Sequence, residues 1–522
     1  MKRLGKVALT AVITGLSLGA APAPERVNLI IRGGIVYTGS DAPFVGDVAI
    51  SGERVRAVGP NLQFTASRVV DATGMIVSPG FIDPHTHIGE QLASRDAATR
   101  LIPAFLMQGV TTAFIGNDGG GDPDVAEVLG RARTKPVGIN YAAFVGFGPI
   151  REQVIGKADR APDAAELQRM RALVAGAMCQ GVLGFSTGLY YAPQSFASTA
   201  EVVALAREAG RRGGTYDSHI RDESSYSVGL SAAIDEAIAI GRDAGIPVNI
   251  SHIKALGVDV HGQAPAIIAK VEAARRTGQR VTADQYPWSA SGTTLTAALM
   301  PGWALDGGRA ALLKRFRNSA IAGRLRAGVQ ENLRKRGGAA ALLIAEGKFR
   351  GRTLEQVAKA RREDPVTAAI ALVRAEDAAV VSFNQDERDI AAFMRQPWVM
   401  TSSDAFTGHP RVYGSFARKY RKYVSAQGVL SLREFIERSS ALTADTFGIE
   451  ARGRLKPGAY ADVVLFDPNR YAERASYDQP TLLAEGVSMV VVNGVLAVDG
   501  GRLTGQAAGR ALKHRPTPGS CP

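Results

Sequence analysis

The middle of the chain alternates short apolar runs with longer amphipathic segments. The runs at 111–115, 246–250 and 397–401 are typical of buried strands, and helical periodicity fills the intervals between such runs. With the run that leads into His85, the pattern predicts eight strands. We therefore predict an α/β fold, with a parallel (β/α)8 TIM-like catalytic barrel over residues 81–440.

Both ends of the chain have a different pattern, made of short strands and turns. Ser51-Gly52 and Asn493-Gly494 each lie between apolar runs, which predicts hairpins. Because the two ends look alike, residues 26–80 and 441–512 are predicted to form one small β-sandwich domain.

The interval between the last two predicted barrel strands is too long for a single crossover connection. Residues 289–396 are therefore predicted to be an insertion, largely helical, that covers the barrel mouth like a lid.

The first 23 residues have the pattern of a signal peptide. Lys2, Arg3 and Lys6 precede an apolar run at 7–18 that is too short to span a bilayer, and small residues follow it. We expect a periplasmic or secreted bacterial protein, with no stable membrane insertion after cleavage. Cys179 and Cys521 are far apart and imply no disulfide framework.

Composition excludes few classes of function. The 522 residues are 46% hydrophobic and 21% charged, as in ordinary soluble enzymes. The formal net charge of +13 fits either attraction for anionic substrates or a generally basic surface. No basic stretch is interleaved with aromatic residues, so no nucleic-acid partner is expected. The composition does not exclude a homo-oligomer.

Polar residues fall where the predicted strands end, which is where active sites of such barrels lie. His85 and His87 share one side of an extended segment, and His219 and His252 each end a later strand. Asp404 ends the last strand. Imidazole and carboxylate groups suit Zn2+, so the set predicts a zinc site in which a carboxylate handles the proton of an activated water.

Two residues of this set have open interpretations. Asp118 ends the second strand as either a metal ligand or a turn residue before Gly119. Lys254 lies two residues after His252 and faces the same side, so it either neutralises a substrate carboxylate or is an ordinary exposed lysine.

Several motifs together resemble one family. The motifs are Pro79-Gly80-Phe81-Ile82-Asp83-Pro84-His85-Thr86-His87, Gly184–Pro193, Ser218–Glu223, Ser251–Lys254, and Ser403-Asp404 with His409–Gly414. The first resembles the amidohydrolase superfamily, and the combination resembles its N-acyl-D-amino-acid deacylases (D-aminoacylases). The resemblance covers nearly all of the chain after the signal peptide.

The resemblance implies specific roles. A tight Zn2+ would be held by His219, His252 and the position of Asp118, where the family has cysteine. His85 and His87 would offer a second, weaker site. Asp404 would be the general base and acid, and the substrate carboxylate would contact Tyr191, Lys254 and Tyr286. Phe147 replaces a family histidine, and this departure is expected to alter the substrate pocket.

We therefore expect metal-dependent hydrolysis of the amide of a small N-acyl amino acid, of D configuration, by activated water with Asp404 as base. An alternative within the superfamily is a D-dipeptidase or cyclic-amide hydrolase. A third hypothesis, from a different class, is a non-catalytic periplasmic binding protein, which the intact set of ligands and base disfavours.

Overall fold

The computed structural model describes residues 25–521. The predicted signal peptide, residues 1–23, lies outside the described residues. The strands in chain order are β1 (Arg26–Val36), β2 (Phe44–Ser51), β3 (Arg54–Gly59), β4 (Thr65–Asp71), β5 (Ile76–Pro79), β6 (Phe81–Asp83), β7 (Val110–Ile115), β8 (Asn140–Ala143), β9 (Val145–Gly146), β10 (Gly184–Gly188), β11 (Thr215–His219), β12 (Val248–Ile250), β13 (Val281–Gln285), β14 (Ala290–Thr294), β15 (Leu342–Ile344), β16 (Ala379–Phe383), β17 (Val399–Thr401), β18 (Val463–Phe466), β19 (Val487–Val492), β20 (Val495–Asp499) and β21 (Arg502–Leu503).

The helices lie mainly between these strands. In chain order they are α1 (Gly89–Ala93), α2 (Ala97–Arg100), α3 (Pro103–Leu106), α4 (Val125–Thr134), α5 (Phe147–Ile155), α6 (Ala164–Gln180), α7 (Thr199–Gly210), α8 (Leu230–Ala244), α9 (Ala264–Arg276), α10 (Leu295–Leu299), α11 (Gly308–Arg315), α12 (Ser319–Lys335), α13 (Leu354–Arg361), α14 (Pro365–Ala375), α15 (Glu387–Met394), α16 (Arg411–Arg418), α17 (Leu432–Arg438) and α18 (Ala441–Thr446), with a π-helical segment at Lys419–Ala426.

The small β-domain is built from both ends of the chain, as the sequence predicts. Its strands form one nine-stranded sheet in the order β21-β20-β19-β18-β5-β1-β2-β3, with β4 paired to β1. The antiparallel pairing of β18 with β5 joins the two ends. The predicted two-sheet sandwich is therefore one continuous hydrogen-bonded sheet. Gly33 lies at a bulge within β1, where its positive φ is easily adopted.

The catalytic region contains two arrays of parallel strands, with helices in the connections. One has the order β17-β13-β12-β11-β10-β9 and the other β6-β7-β8. Phe144 alone separates β8 from β9, and a parallel bridge joins Thr86 to Ala405 after β6 and β17. Apolar strand residues such as Phe81, Phe185 and Tyr216 are fully buried in the main core. The alternation of strand and helix is thus as predicted.

The segment before β17 contains more than helices. The sheet β14-β16-β15 is antiparallel, and α10 to α14 pack with it around a separate apolar core that includes Leu299, Val329 and Val373. Helix α12 in this segment begins at the Asn318 cap, whose side chain accepts from the backbone N–H of Ala320.

The last residues run along the catalytic region and are not part of the small sheet. Gly509 and Ala511 form bridges with Val137 and Tyr141, close to the start of β8. The tail ends in a disulfide between Cys521 and Cys179 of α6. The sequence implied no disulfide framework, but the structure joins these two cysteines, because 342 residues of separation in sequence do not prevent two elements from meeting in the fold.

No helix within residues 25–521 is long and apolar enough to cross a membrane.

Candidate metal centre and active site

One carboxylate lies at the centre of four imidazole rings. Asp118 Oδ1 is 3.3 Å from Nε2 of both His85 and His252. Asp118 Oδ2 is 3.5 Å from His87 Nε2 and 3.4 Å from His219 Nδ1. The structure thus brings together all five residues that the sequence predicts as metal ligands.

Strand ends place these side chains at one edge of the catalytic region. His85 and His87 follow β6, Asp118 follows β7, His219 ends β11 and His252 follows β12. The carboxyl ends of parallel strands meet on one side of the sheet, so ligands distant in sequence become neighbours.

Three of the site residues have a left-handed backbone, which is uncommon for residues other than glycine. The φ angles are 55° at Asp118, 36° at His252 and 45° at Asp404. Such conformations persist where the surrounding structure fixes them, and they cluster at functional sites. Asp118 therefore occupies a turn conformation and also directs its carboxylate to the histidines, so its two interpretations are compatible.

Asp404 lies beside the histidine pair and is held by an arginine. Its Oδ1 is 3.3 Å from His87 Nε2, and its Oδ2 is 2.9 Å from Arg411 Nη1. Its backbone N–H donates to the carbonyl of His85 at 3.0 Å. Burial alone would raise the pKa of Asp404, but Arg411 and the neighbouring imidazoles hold that pKa well below its usual value. The Asp404 carboxylate is consequently ionised.

The Asp118 carboxylate and the surrounding histidines also shift each other's pKa values. Burial would raise the pKa of Asp118, but the surrounding imidazoles lower it well below its usual value. Burial would lower the pKa of His87, but the carboxylates of Asp118 and Asp404 raise it to about 9.

A second polar layer lies behind the ligands. Asn249 Nδ2 donates to both Asp217 Oδ1 and Asp284 Oδ2 at 2.8 Å. Asp284 Oδ1 accepts from the backbone N–H of His252 at 3.0 Å. Asn117 Nδ2 donates to Asp217 Oδ2 at 3.0 Å. Hydrogen bonds of this kind orient the groups that hold a metal.

The residues fit a divalent cation. Single ligand atoms of His85, Asp118, His252 and Asp404 all lie within 4.8 Å of one another. Among the described residues, the buried atoms His85 Nε2, Asp118 Oδ1 and His219 Nδ1 have no hydrogen-bond partner. Buried polar atoms without partners are costly, and a coordinated cation satisfies imidazole nitrogens and a carboxylate oxygen together.

Lys254 forms an ion pair within the protein. Its Nζ is 2.5 Å from Glu223 Oε1 and 2.6 Å from His252 Nδ1. It is buried, so the alternative of an ordinary exposed lysine is wrong. His219, Glu223 and His252 form another group with metal-ligand spacing, but the Lys254 ammonium already supplies a cation there.

A cavity of about 360 Å³ opens onto this centre. It is lined by His87, Asp118, His219, His252, Lys254 and Asp404, together with the predicted substrate-binding residues Tyr191 and Tyr286. The Tyr191 ring is 4.8 Å from the His219 ring, centroid to centroid. The Tyr286 hydroxyl accepts from Gln385 Nε2 at 2.9 Å. All three predicted substrate contacts therefore line the same cavity as the candidate metal ligands.

The cavity has further charged and aromatic residues to which the sequence analysis assigned no role. They are Tyr190, Glu223, Tyr226, Arg336, Phe406 and Arg411. Arg411 and Glu223 lie inside motifs that the sequence analysis names, so their positions in those motifs could have identified them as site residues. Arg336 lies in the insertion, and the sequence offers no comparable signal for it.

Phe147 does not have the place that the sequence analysis expected. It begins α5, is fully buried and packs against Phe185, with ring centroids 5.8 Å apart. It does not line the cavity. The expected effect on the substrate pocket is therefore not a direct contact, because the side chain belongs to the apolar core.

Parallel strands, alternating helices and a His–Asp cluster at the strand ends together define the centre of a metal-dependent hydrolase with an α/β fold. Residues 68–498 match the model of the amidohydrolase family, to which the chain belongs. It is 31% identical over 520 residues to D-aminoacylase of Alcaligenes xylosoxydans xylosoxydans, covering 94% of this chain and 98% of the relative.

Two solved structures are similar along their whole length. A D-aminoacylase structure described as having a binuclear metal centre matches with a TM-score of 0.79 and 30% identity, over 93% of this chain and 100% of the other. N-acyl-D-glutamate deacylase from Bordetella bronchiseptica, complexed with zinc and a phosphonate mimic of the tetrahedral intermediate, also gives a TM-score of 0.79 and 30% identity, over 94% and 100%. The chain thus groups with the D-aminoacylases within its family.

Proposed function

We propose that the protein is a zinc-dependent deacylase that hydrolyses the amide bond of N-acyl-D-amino acids to a carboxylate and a free amino acid. The observation that carries the proposal is the Asp118 carboxylate, which lies 3.3–3.5 Å from four imidazole nitrogens at the bottom of a cavity. The names of the similar proteins support the substrate class.

His219, His252 and Asp118 would hold the tight zinc ion, with His85 and His87 available for a second one. When bound, zinc supplies Lewis acidity, which makes water more acidic and polarises a carbonyl group. Each Asp118 oxygen faces one imidazole of each set, since Oδ1 lies near His85 and His252 and Oδ2 lies near His87 and His219.

Asp404 carries out the proton transfers. Arg411 fixes its Oδ2 at 2.9 Å, which leaves Oδ1 directed towards His87 and the cavity. Oδ1 accepts a proton from the attacking water and then donates it to the amide nitrogen as the C–N bond breaks. One water is consumed, and the products are the acyl carboxylate and the free amino acid.

The substrate carboxylate binds beside Lys254 and Tyr286. An ammonium group has three N–H donors, and Lys254 donates one of them to Glu223 Oε1, which leaves donors for the cavity. The Lys254 Nζ lies 5.6 Å from the centre of the Tyr286 ring. Tyr191, next to His219, completes this part of the site.

Hydrolysis assays test the proposal against its rivals. Zinc-loaded enzyme is offered N-acetyl-D-amino acids, their L enantiomers, hydantoins and D-dipeptides, with Asp404→Asn as the inactive control. Turnover of the N-acyl-D compounds supports the proposal. Turnover of only the cyclic amides or dipeptides would contradict it, and no turnover of any amide would favour a binding protein.

We infer further that the two parallel arrays close into one barrel. The barrel has eight strands when β8 and β9, which only Phe144 separates, are counted as one. The Thr86–Ala405 bridge joins the β6 end to the β17 end, and Leu183 N–H donates to Ala143 O at 2.8 Å where β8 approaches β10. An experimental structure checks this closure directly.

We also propose export to the periplasm or the medium. The basic and apolar pattern of residues 1–23 supports it. So does the disulfide between Cys179 and Cys521, because such bonds persist in oxidising compartments. Cell fractionation of the full chain and of a chain that begins near residue 24 tests this; cytoplasmic location of the full chain would contradict it.

A further inference from the structure

A further cationic group lines the cavity away from Lys254. Arg336 follows α12 in the insertion, is 3% exposed and lies on the cavity wall. Its Nε donates to Ala298 O at 3.0 Å, and its Nη2 donates to the Tyr190 hydroxyl at 3.3 Å. Its Nη1 is buried and has no hydrogen-bond partner within residues 25–521.

Arg336 differs from the other buried arginines of the described chain. Those pair with carboxylates: Arg151 with Glu201, Arg411 with Asp404, Arg438 with Glu434, and Arg452 with Asp462. No carboxylate oxygen of residues 25–521 lies within 4.0 Å of a guanidinium nitrogen of Arg336. A guanidinium stays protonated in proteins, and a buried charge without a counter-ion is costly. The position therefore favours an anionic ligand.

The surroundings prepare the guanidinium for such a ligand. The Tyr226 ring centre is 5.4 Å from Arg336 Cζ, which gives partial compensation of the charge. The Tyr190 hydroxyl accepts from Arg336 and donates to Ala297 O at 2.5 Å, so its position is fixed. These contacts hold the guanidinium in place while Nη1 stays unpaired.

Arg336 also lines the same cavity as the candidate metal ligands. The Tyr190 ring, which touches Arg336 through its hydroxyl, stacks on the His219 ring with centroids 5.8 Å apart. Lys254 and Arg411 instead face the Tyr286 ring, at 5.6 Å and 4.8 Å from its centre. The cavity thus has three cationic side chains, Lys254 and Arg411 at Tyr286 and Arg336 at Tyr190.

We propose that Arg336 binds a second carboxylate of the substrate, so that the preferred substrates are N-acyl amino acids with two carboxylates. The inference rests on the proposed deacylase function and deepens it. The second carboxylate belongs either to the amino-acid side chain or to the acyl group, and both present the same planar group to the guanidinium.

Two isosteric pairs of substrates distinguish these sources. N-acetyl-D-glutamate is compared with N-acetyl-D-glutamine, and N-succinyl-D-alanine with N-succinamoyl-D-alanine, on the zinc-loaded mature enzyme. We expect kcat/KM to be about 10-fold or more higher for the acidic member of one pair, as for a charge-assisted contact. The pair that shows the preference identifies the source.

Variants connect the preference to Arg336. Arg336→Met should lower kcat/KM for the acidic member by about 10-fold or more, and lower it less for the neutral one, so the preference disappears. Arg336→Lys should keep part of the preference, because it keeps the charge but not the fork of donors. Arg334→Met is the matched control, since Arg334 is exposed at the same helix end and pairs with Asp259.

Other results overturn the inference in distinguishable ways. If the parent enzyme hydrolyses the neutral compounds but prefers neither acidic member, the deacylase function stands and the role of Arg336 is wrong. Equal losses on acidic and neutral members in both Arg336→Met and Arg336→Lys would show a purely structural role. Absence of turnover of every N-acyl amino acid, D or L, overturns the proposed function and this inference with it.

Discussion

Asp118 Oδ1 lies 3.3 Å from His252 Nε2, although five strands, β8 to β12, lie between the two residues in the chain. The same carboxylate also faces the three other histidines of the cluster. The relationship supports the proposal that Asp118 is a ligand shared across the site. Metal affinity should therefore depend on this residue more than on any single histidine.

Substitution of Asp118 tests this directly. Asp118→Ala should lower zinc affinity by about 100-fold or more, because loss of even an outer partner of a metal ligand costs 10- to 100-fold. Asp118→Cys should restore binding with a stronger preference for zinc over harder ions, since thiolate is a softer ligand. Metal content and competitive titration with a chelator measure both effects.

The control for Asp118 comes from the same loop. Asp122 is exposed and accepts a hydrogen bond from the backbone N–H of Asp124 at 2.8 Å. Asp122→Ala should bind zinc like the parent. Full metal content and activity in Asp118→Ala would mean that Asp118 is a turn residue alone.

Asp404→Asn should keep the metal and lose activity. The two side chains have nearly the same shape, and the amide can still face Arg411, but it cannot accept the proton. A fall in kcat of about 10²- to 10⁴-fold is expected. Zinc content, thermal stability and single-turnover rates separate the chemical step from folding. Near-parental kcat in Asp404→Asn would exclude Asp404 as the base.

Lys254 requires a paired design, because its ammonium neutralises Glu223. Lys254→Met alone leaves the Glu223 carboxylate buried without its cation, which typically destabilises a protein by about 3–5 kcal/mol. The double variant Lys254→Met with Glu223→Gln removes both charges and should fold better. It should raise KM for substrates with a free α-carboxylate more than for the corresponding α-amides.

A comparison of three variants makes the Lys254 test decisive. Glu223→Gln alone should retain binding of the α-carboxylate, since the Lys254 ammonium remains. If the double variant affects acids and amides equally, Lys254 does not contact the substrate carboxylate, and its part is to orient His252, which it approaches at 2.6 Å.

Strand-end chemistry was predictable from the sequence because it depends on local patterns. Period-two spacing places His85 and His87 together, and apolar runs before His219 and His252 identify strand ends. Once a parallel array is inferred, the meeting of these ends follows. The predicted ligands and substrate contacts accordingly all lie around one centre, while their individual roles remain predictions.

Contacts between distant segments were not predictable in the same way. Nothing in the spacing of Cys179 and Cys521 indicates that the tail returns to α6. Arg336 is one basic residue in a basic helix end, and only the packing of the insertion shows that it is buried and unpaired. Phe147 was assigned to the pocket by resemblance, whereas the fold turns it into the core.

A buried lysine gives a prediction for pH dependence. Lys419 Nζ donates to Thr401 Oγ1 at 2.9 Å, and burial, with Arg438 nearby, lowers its pKa well below the usual 10.5. Between the lowered pKa and about 10.5 the unfolded chain binds more protons than the folded one, so this residue makes stability rise with pH. The slope is at most about 1.4 kcal/mol per pH unit.

Lys419→Met should remove that slope and stabilise the protein at neutral pH. Thr401 Oγ1 still accepts from Ser439 Oγ at 2.8 Å, so no buried acceptor is left alone. Urea unfolding between pH 7 and 10 gives the measurement, and Lys422→Met, at an exposed pair with Glu387, is the control. A parallel pH dependence in parent and Lys419→Met would contradict the lowered pKa.

The C-terminal tail provides the last test, because the disulfide attaches it to the side of the fold opposite the cavity. His514 N–H donates to Gly181 O at 2.9 Å and Thr517 N–H to Arg212 O at 3.3 Å, just before β10 and β11 begin. The active site lies after the same strands end. Cys521→Ser should therefore reduce stability by about 2–4 kcal/mol, as for loss of a bond that closes a long loop, and leave kcat/KM nearly unchanged.

Cys179→Ser should behave identically, and reduction of the disulfide should change the stability of the parent only. Thiol titration of the denatured, unreduced parent should find no free cysteine. Two titratable thiols in protein recovered from the periplasm would show that the bond does not form.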